Sequence, residues 1–309
     1  MFRRKPDHAD YTEPAQVIEP RAERPLFAIV LMAIAMLLIP GADGIAKHLS
    51  TDLSPLFISW ARYLVASLLL APVAFALKGR DALPRGGYLP QVMRTVFLVS
   101  AMSLYFVAIA TVPLATAISA FFIAPIAAAV LSVPLLGERL TGRKIAALVL
   151  GFLGVLLIVN PTSGFEPGLL LAIAAGILFA CYMVATRKAV SGSGPLATLN
   201  FQCILGALVL TPQAIYAWSW PNLDQLPFFL AIGLISVGSH ILSITAMRNA
   251  EASLLSPLVY LELVGSVIIG FAFFNEVPGL MVLAGAAIIV GSGLMLVVRR
   301  KPRVHGMAP

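Results

Sequence analysis

Two apolar arrays of nearly equal length, residues 26–161 and 166–300, close on the same short pattern. Near the end of the first stands Leu135-Leu136-Gly137-Glu138, and near the end of the second Phe273-Phe274-Asn275-Glu276. A helix-length apolar segment precedes each Glu. A Gly-rich one follows, with Gly151 and Gly154 in the first half and Gly285 to Gly293 in the second. Self-similarity on this scale means that one structural unit occurs twice. Matching halves in a membrane can rock about a central site, which is the architecture of a carrier.

The membrane reading rests on composition. In 309 residues, 60% are hydrophobic and 11% charged, and the mean hydropathy is +0.95. That is too apolar for a soluble chain of this size. Ten apolar stretches are long enough to cross a bilayer core of roughly 30 Å. They lie at about 26–49, 56–77, 89–112, 115–136, 143–160, 168–187, 196–218, 226–247, 254–274 and 280–298. The fold expected is therefore an all-α integral membrane protein with ten transmembrane helices. Each half holds an odd number of spans, so the second half enters from the opposite side and the two five-helix repeats are inverted. Repeat 1 takes 26–161 and repeat 2 takes 162–300, with the helix-breaking loop from Asn160 to Glu166 as the midpoint. Residues 1–25, rich in Pro and charge, are expected to form a disordered cytoplasmic tail, and 301–309 a second cytoplasmic tail. The first apolar run follows a polar lead and is long enough to span, so no cleavable signal peptide is expected.

The net charge of +7 is set by topology. Most of the Lys and Arg, among them Lys78, Arg80, Arg139, Lys144, Arg187 and Arg299, fall on one side once the N-terminus is placed inside. Both termini are then cytoplasmic, in the inner membrane of the cell. A nucleic-acid partner is not expected, because no basic stretch is interleaved with aromatics on a soluble face. Cys181 and Cys203 both fall inside spans and read as packing residues.

Of 14 acidic residues, only Asp43 and Glu262 lie inside predicted spans. An ionisable group there costs roughly 2.5–3.5 kcal/mol unless it finds a partner or water. Such residues are either functional or members of a buried pair that fixes helix packing. Asp43 in span one and Arg62 in span two each lie about 9 Å from the same membrane face, so they can meet. Lys47, one turn from Asp43, competes for it. From the other face, His240 lies about 10 Å deep in span eight and Glu262 about 12 Å deep in span nine. That pair can carry a proton, bind a cationic group or satisfy itself. Ser266 shares the face of Glu262, whereas Tyr260 points roughly the other way. Tyr105 and Tyr182 complete the candidates for solute contact or gating. Asn200 and Gln202 read better as helix-to-helix hydrogen bonds. Pro40, Pro125 and Pro257 interrupt spans and are hinge candidates, although a static kink is an equal reading. No catalytic triad, cofactor motif or metal-binding spacing is evident, so neither a cofactor nor an enzyme is expected.

Four local patterns resemble one family. The first spans run from Asp43-Gly44-Ile45-Ala46-Lys47 through Ser54-Pro55 to Arg62-Tyr63. The fourth runs from Ala115-Thr116-Ala117 through Pro125 to Leu136-Gly137-Glu138. The ninth runs from Ala252-Ser253 through Ser256-Pro257 and Tyr260-Leu261-Glu262 to Asn275-Glu276-Val277-Pro278. Spans five and ten end in a Gly-then-aliphatic pattern. Taken in order over 26–300, these patterns are similar to those of the drug/metabolite transporter superfamily, EamA type. The resemblance implies alternating access around a cavity lined by spans one, three, four, six, eight and nine. It implies export of an amino-acid-like or similar small metabolite, or as the alternative import of a vitamin or nucleotide-derived cofactor. The partners expected are that solute, the lipid bilayer, a coupling proton and a second copy of the chain. A non-transporting scaffold would not require Asp43 and Glu262 in apolar spans. Where many relatives carry a second Pro in the ninth helix, this chain has Glu262, which singles that residue out for selectivity.

Overall fold

The computed structural model describes residues 24–137, 142–159, 166–189, 194–249 and 255–297. The two expected tails (save Arg24 and Pro25), most of the midpoint loop, and Glu138 lie outside them. The described chain is helical throughout. Its helices are α1 (Pro25–Leu49), α2 (Pro55–Lys78), α3 (Tyr88–Thr111), α4 (Leu114–Phe121), α5 (Ala124–Leu136) and α6 (Gly142–Val159). The second half supplies α7 (Pro167–Ala189), α8 (Pro195–Tyr216), α9 (Leu226–Asn249), α10 (Leu261–Phe274) and α11 (Leu280–Val297). Pro25, Pro55 and Pro195 each occupy the first turn of their helix, where a missing N–H costs nothing.

Among the described residues, seven helical stretches are long and apolar enough to cross a membrane. Three shorter apolar stretches, Ile145–Ile158, Leu258–Phe274 and Leu280–Ser292, stand where spans five, nine and ten were expected.

The fourth span is broken where its proline dictates. Pro125 has no N–H to give the carbonyl of Phe121, and the helix divides there into α4 and α5. The freed Phe121 carbonyl lies against Gly176 of α7, where an added Cβ would stand 2.6 Å from that oxygen. In the ninth span the Pro257 turn is a short 3-10 segment, Ser256–Tyr260, leading into α10. Pro40 differs: α1 continues through it, and its ring packs where a Cβ at Gly265 of α10 would be.

The two closing patterns have a common backbone cause. Gly137 (φ +67°) ends α5 and Asn275 (φ +55°) ends α10, both in the left-handed conformation. Gly and Asn are the residues that tolerate that turn after a helix. Glycine also sets the contact of α6 with α11. A Cβ at Gly285 would stand 2.6 Å from the carbonyl oxygen of Gly154, so the two backbones touch.

Packing partners exchange between the halves. The contact of α1 with α9 corresponds to that of α7 with α3, and α1 with α10 corresponds to α7 with α5. The pairs α2 with α8 and α6 with α11 map onto themselves. The largest cluster of buried apolar side chains includes Leu49, Phe57, Ile109, Leu114 and Phe229, toward the Lys47 end of the bundle. Outward-facing Phe152, Leu208, Phe271 and Leu280 present an apolar surface suited to lipid.

Candidate functional site

At one end of the bundle, charge and hydrogen bonding are fully matched. Lys47 of α1 forms an ion pair with Glu276, Nζ to Oε1 at 2.7 Å, each side chain 15% exposed. The same ammonium donates to the carbonyl oxygens of Ile109 (2.9 Å) and Val112 (2.7 Å) at the end of α3. The second Glu276 oxygen accepts the Leu114 N–H at the start of α4, at 2.8 Å. That carboxylate thus occupies a helix N-terminus, where negative charge is favoured. Four chain segments are tied together at one point. Lys47 was expected to compete for Asp43; it pairs with Glu276 instead, because α10 brings its C-terminal turn against the end of α1.

The centre is arranged differently. Asp43 is 2% exposed and its Oδ2 accepts one hydrogen bond, from the Tyr105 hydroxyl at 3.3 Å. Arg62 was expected to pair with Asp43. Its guanidinium lies over the Phe106 ring at 5.6 Å and makes no hydrogen bond or ion pair with the described protein. Glu262 was expected to pair with His240, and no such contact forms among the described residues. Glu262 belongs electrostatically to Asp43 and Arg62, and His240 to Arg62. Arg62 and His240 line one pocket between α2, α8 and α9, so the residues expected at opposite faces are not segregated into two pairs. Arg62, His240 and Glu262 are each partly buried.

An aromatic row borders these residues. Tyr105 meets Phe121 (centroids 5.2 Å apart), Phe121 meets Phe179 (5.1 Å), and Phe179 meets Tyr182 (5.2 Å). Tyr260 stands edge-on to Phe122 at 5.4 Å. Ser266, one turn beyond Glu262, is 1% exposed, and its hydroxyl has no partner among the described residues.

Beyond Tyr182 lies a polar group that sequence reasoning missed. Arg94 counts in the sequence as a positive charge at a helix start, yet it is 4% exposed. It donates to Gln91 Oε1 (3.0 Å), Tyr182 OH (3.1 Å) and Gln202 Oε1 (2.7 Å), with the Tyr182 ring 5.2 Å away. Only the Gln91-to-Arg94 spacing on α3 hinted at this. Asn200 donates to the Ala82 carbonyl at 3.0 Å, a helix-to-turn tie. Glu276 was also missed as a contact residue, although its place in the repeated pattern was a signal.

Residues 26–160 and 166–298 each match the EamA-like transporter family. The chain is 29% identical over 262 residues to the S-adenosylmethionine uptake transporter of Rickettsia prowazekii (strain Madrid E), covering 84% of this chain and 88% of that one. It is 25% identical over 287 residues to the threonine/homoserine exporter RhtA of Escherichia coli (strain K12), covering 89% and 94%. A chain of known crystal structure, 20% identical, shares the fold with a TM-score of 0.61, covering 87% of this chain and 96% of its own. The family and these relatives are transporters and not enzymes. With both halves matched and a helical bundle apolar on its outer surface, this chain is a multi-pass membrane protein of the EamA-like transporter family.

Proposed function

We propose that the chain is a secondary carrier for a small α-amino-acid zwitterion bearing one further positive charge, with S-adenosylmethionine as the reference solute. The observation that carries this reading is the unequal charge set at the centre. Two carboxylates, Asp43 and Glu262, face a single Arg62 that the described protein leaves without a hydrogen bond. When a cationic solute holds both carboxyls ionised, two negative charges against one positive complement two positive charges and one negative on the solute. Polar groups without partners are costly in a membrane interior, and a bound solute supplies the missing partners. The aromatic row from Tyr105 to Tyr182 offers faces for a base to stack on and for a cation to rest against.

In this reading ten spans cross the inner membrane as inverted repeats, with both termini cytoplasmic. The Lys and Arg bias supports the orientation, and the exchange of packing partners supports the repeat. The Lys47–Glu276 tie then closes the outer side, and Asp43 or Glu262 also offers a coupling proton a place to bind. The Rickettsia relative favours uptake. Export is the second reading, favoured by the direction in the name of the Escherichia coli relative.

The test is counterflow in proteoliposomes with S-adenosylmethionine, threonine and riboflavin as competing solutes. Exchange of S-adenosylmethionine ahead of the other two is expected; exchange of riboflavin alone would contradict the reading. Accumulation by intact cells, against efflux from preloaded ones, assigns the direction.

A further inference from the structure

Arg62 joins Gln202 of α8 and Ser236 and His240 of α9 in lining a pocket between α2, α8 and α9, and neither Asp43 nor Glu262 is part of that lining. The pocket is small, with a cavity volume of about 20 Å³, room for a water-sized or carboxylate-sized group, and no Asp or Glu is among the residues that line it. Its polar lining, Arg62, Tyr63, Gln202, Ser236 and His240, can donate hydrogen bonds. The Arg62 N–H groups have no acceptor among the described residues. Ser236 is 5% exposed, and its hydroxyl has no hydrogen-bond partner there either. The carbonyl oxygen of Gln202 is taken by Arg94 and Tyr182, which leaves the amide N–H groups on the opposite edge of that side chain. Arg94, hydrogen-bonded to the neutral Gln91, Tyr182 and Gln202, adds positive charge behind Gln202.

From this we infer that the Arg62–Gln202–Ser236–His240 pocket binds the carboxylate of the solute, while Asp43 and Glu262 hold its cationic groups. The inference rests on the carrier reading above and assigns the solute an orientation across Arg62. A planar guanidinium with free N–H groups suits a carboxylate, and a hydroxyl and an amide beside it complete the acceptor's shell. Asp43 and Glu262, when ionised, repel a carboxylate and attract an ammonium or sulfonium. One arginine thereby divides a region of positive potential from a region of negative potential, and a dipolar solute fits in one direction only.

The experiment compares two probes that differ only in the carboxylate: S-adenosylmethionine and its decarboxylated counterpart. Equilibrium binding of each to purified protein is measured for the wild type, Arg62→Gln, Arg62→Lys and Ser236→Ala. A charged hydrogen-bonding group of this kind is worth about 10- to 100-fold in affinity, so the wild type should prefer the carboxylate form by that factor. Arg62→Gln should abolish the preference, chiefly by weakening the carboxylate probe, and Arg62→Lys should retain part of it. Ser236→Ala, a small change that fills no new space, should reduce the preference severalfold and keeps the test available if Arg62→Gln does not fold. Equal wild-type binding of both probes overturns the subsite and leaves the carrier reading standing. Equal binding that also rises with chloride assigns the pocket to an inorganic anion and likewise overturns the inference. Binding of neither probe overturns the carrier reading, and the subsite with it.

Discussion

The two charged regions of α1 lie one helical turn apart and are treated in opposite ways. Lys47 has a carboxylate and two carbonyl oxygens, and the Glu276 carboxylate has an ammonium and a backbone N–H. Asp43 has one 3.3 Å contact from Tyr105, while Arg62 and Glu262 make no hydrogen bond with the described protein. A charge whose hydrogen-bonding capacity is met by the chain stabilises one arrangement of helices. A charge left unmet in an apolar bundle costs stability, and its persistence is explained by something that binds there. The difference separates a structural tie from a solute site more clearly than depth does.

The largest expected effect breaks the central cluster. Glu262→Gln should lower the initial transport rate of the cationic solute by about 100-fold, the upper range for a charged hydrogen-bonding group. Abundance should stay near wild type, because the protein offers Glu262 no partner to strand. Asp43→Asn combined with Arg62→Gln should be no better than either single variant. Recovery in the double variant would restore the ion pair expected from the sequence. At the other region the sign of that test reverses. Removing one member of Lys47–Glu276 leaves the other partly buried and unpaired, a loss of up to about 3–5 kcal/mol. Glu276→Gln should therefore lower the melting temperature, and Lys47→Met combined with Glu276→Gln should regain part of the loss. A smaller effect comes from the α6–α11 contact. Gly285→Ala forces a methyl group toward the Gly154 carbonyl and should cost about 1–3 kcal/mol, read from unfolding. Tyr105→Phe is the mildest: loss of its hydrogen bond to Asp43 should raise the solute KM by about fivefold, the equivalent of roughly 1 kcal/mol.

Much of the fold was legible because repetition and hydropathy are local properties. The break before Pro125 and the left-handed Gly137 and Asn275 each follow from residues near in sequence, and the glycines of α6 and α11 mark each helix for close approach. The site was half legible. Scarcity of intramembrane charge singled out Asp43, Glu262 and Arg62, but their partners were assigned from depth along adjacent hairpins. Depth fixes one coordinate and leaves rotation about the helix axis open. The packing of α1 against both α9 and α10 brings Glu262 toward Asp43 and Arg62, and Glu276 to Lys47; no hairpin argument contains that step. Arg94 was missed for a related reason. A basic residue at a helix start resembles an orientation signal, and only α7 and α8 reveal that it is enclosed by Tyr182 and Gln202.

The most direct test of the division between tie and site is solute-dependent thermal stabilisation of purified Glu262→Gln and Glu276→Gln beside the wild type. A ligand that binds only the folded state raises the melting temperature in proportion to its binding free energy. Saturating S-adenosylmethionine should stabilise the wild type and Glu276→Gln alike, although Glu276→Gln starts from a lower melting temperature. Glu262→Gln should melt near the wild type without solute and gain little with it. The opposite pattern, with Glu262→Gln still stabilised by solute and Glu276→Gln not, would contradict the account.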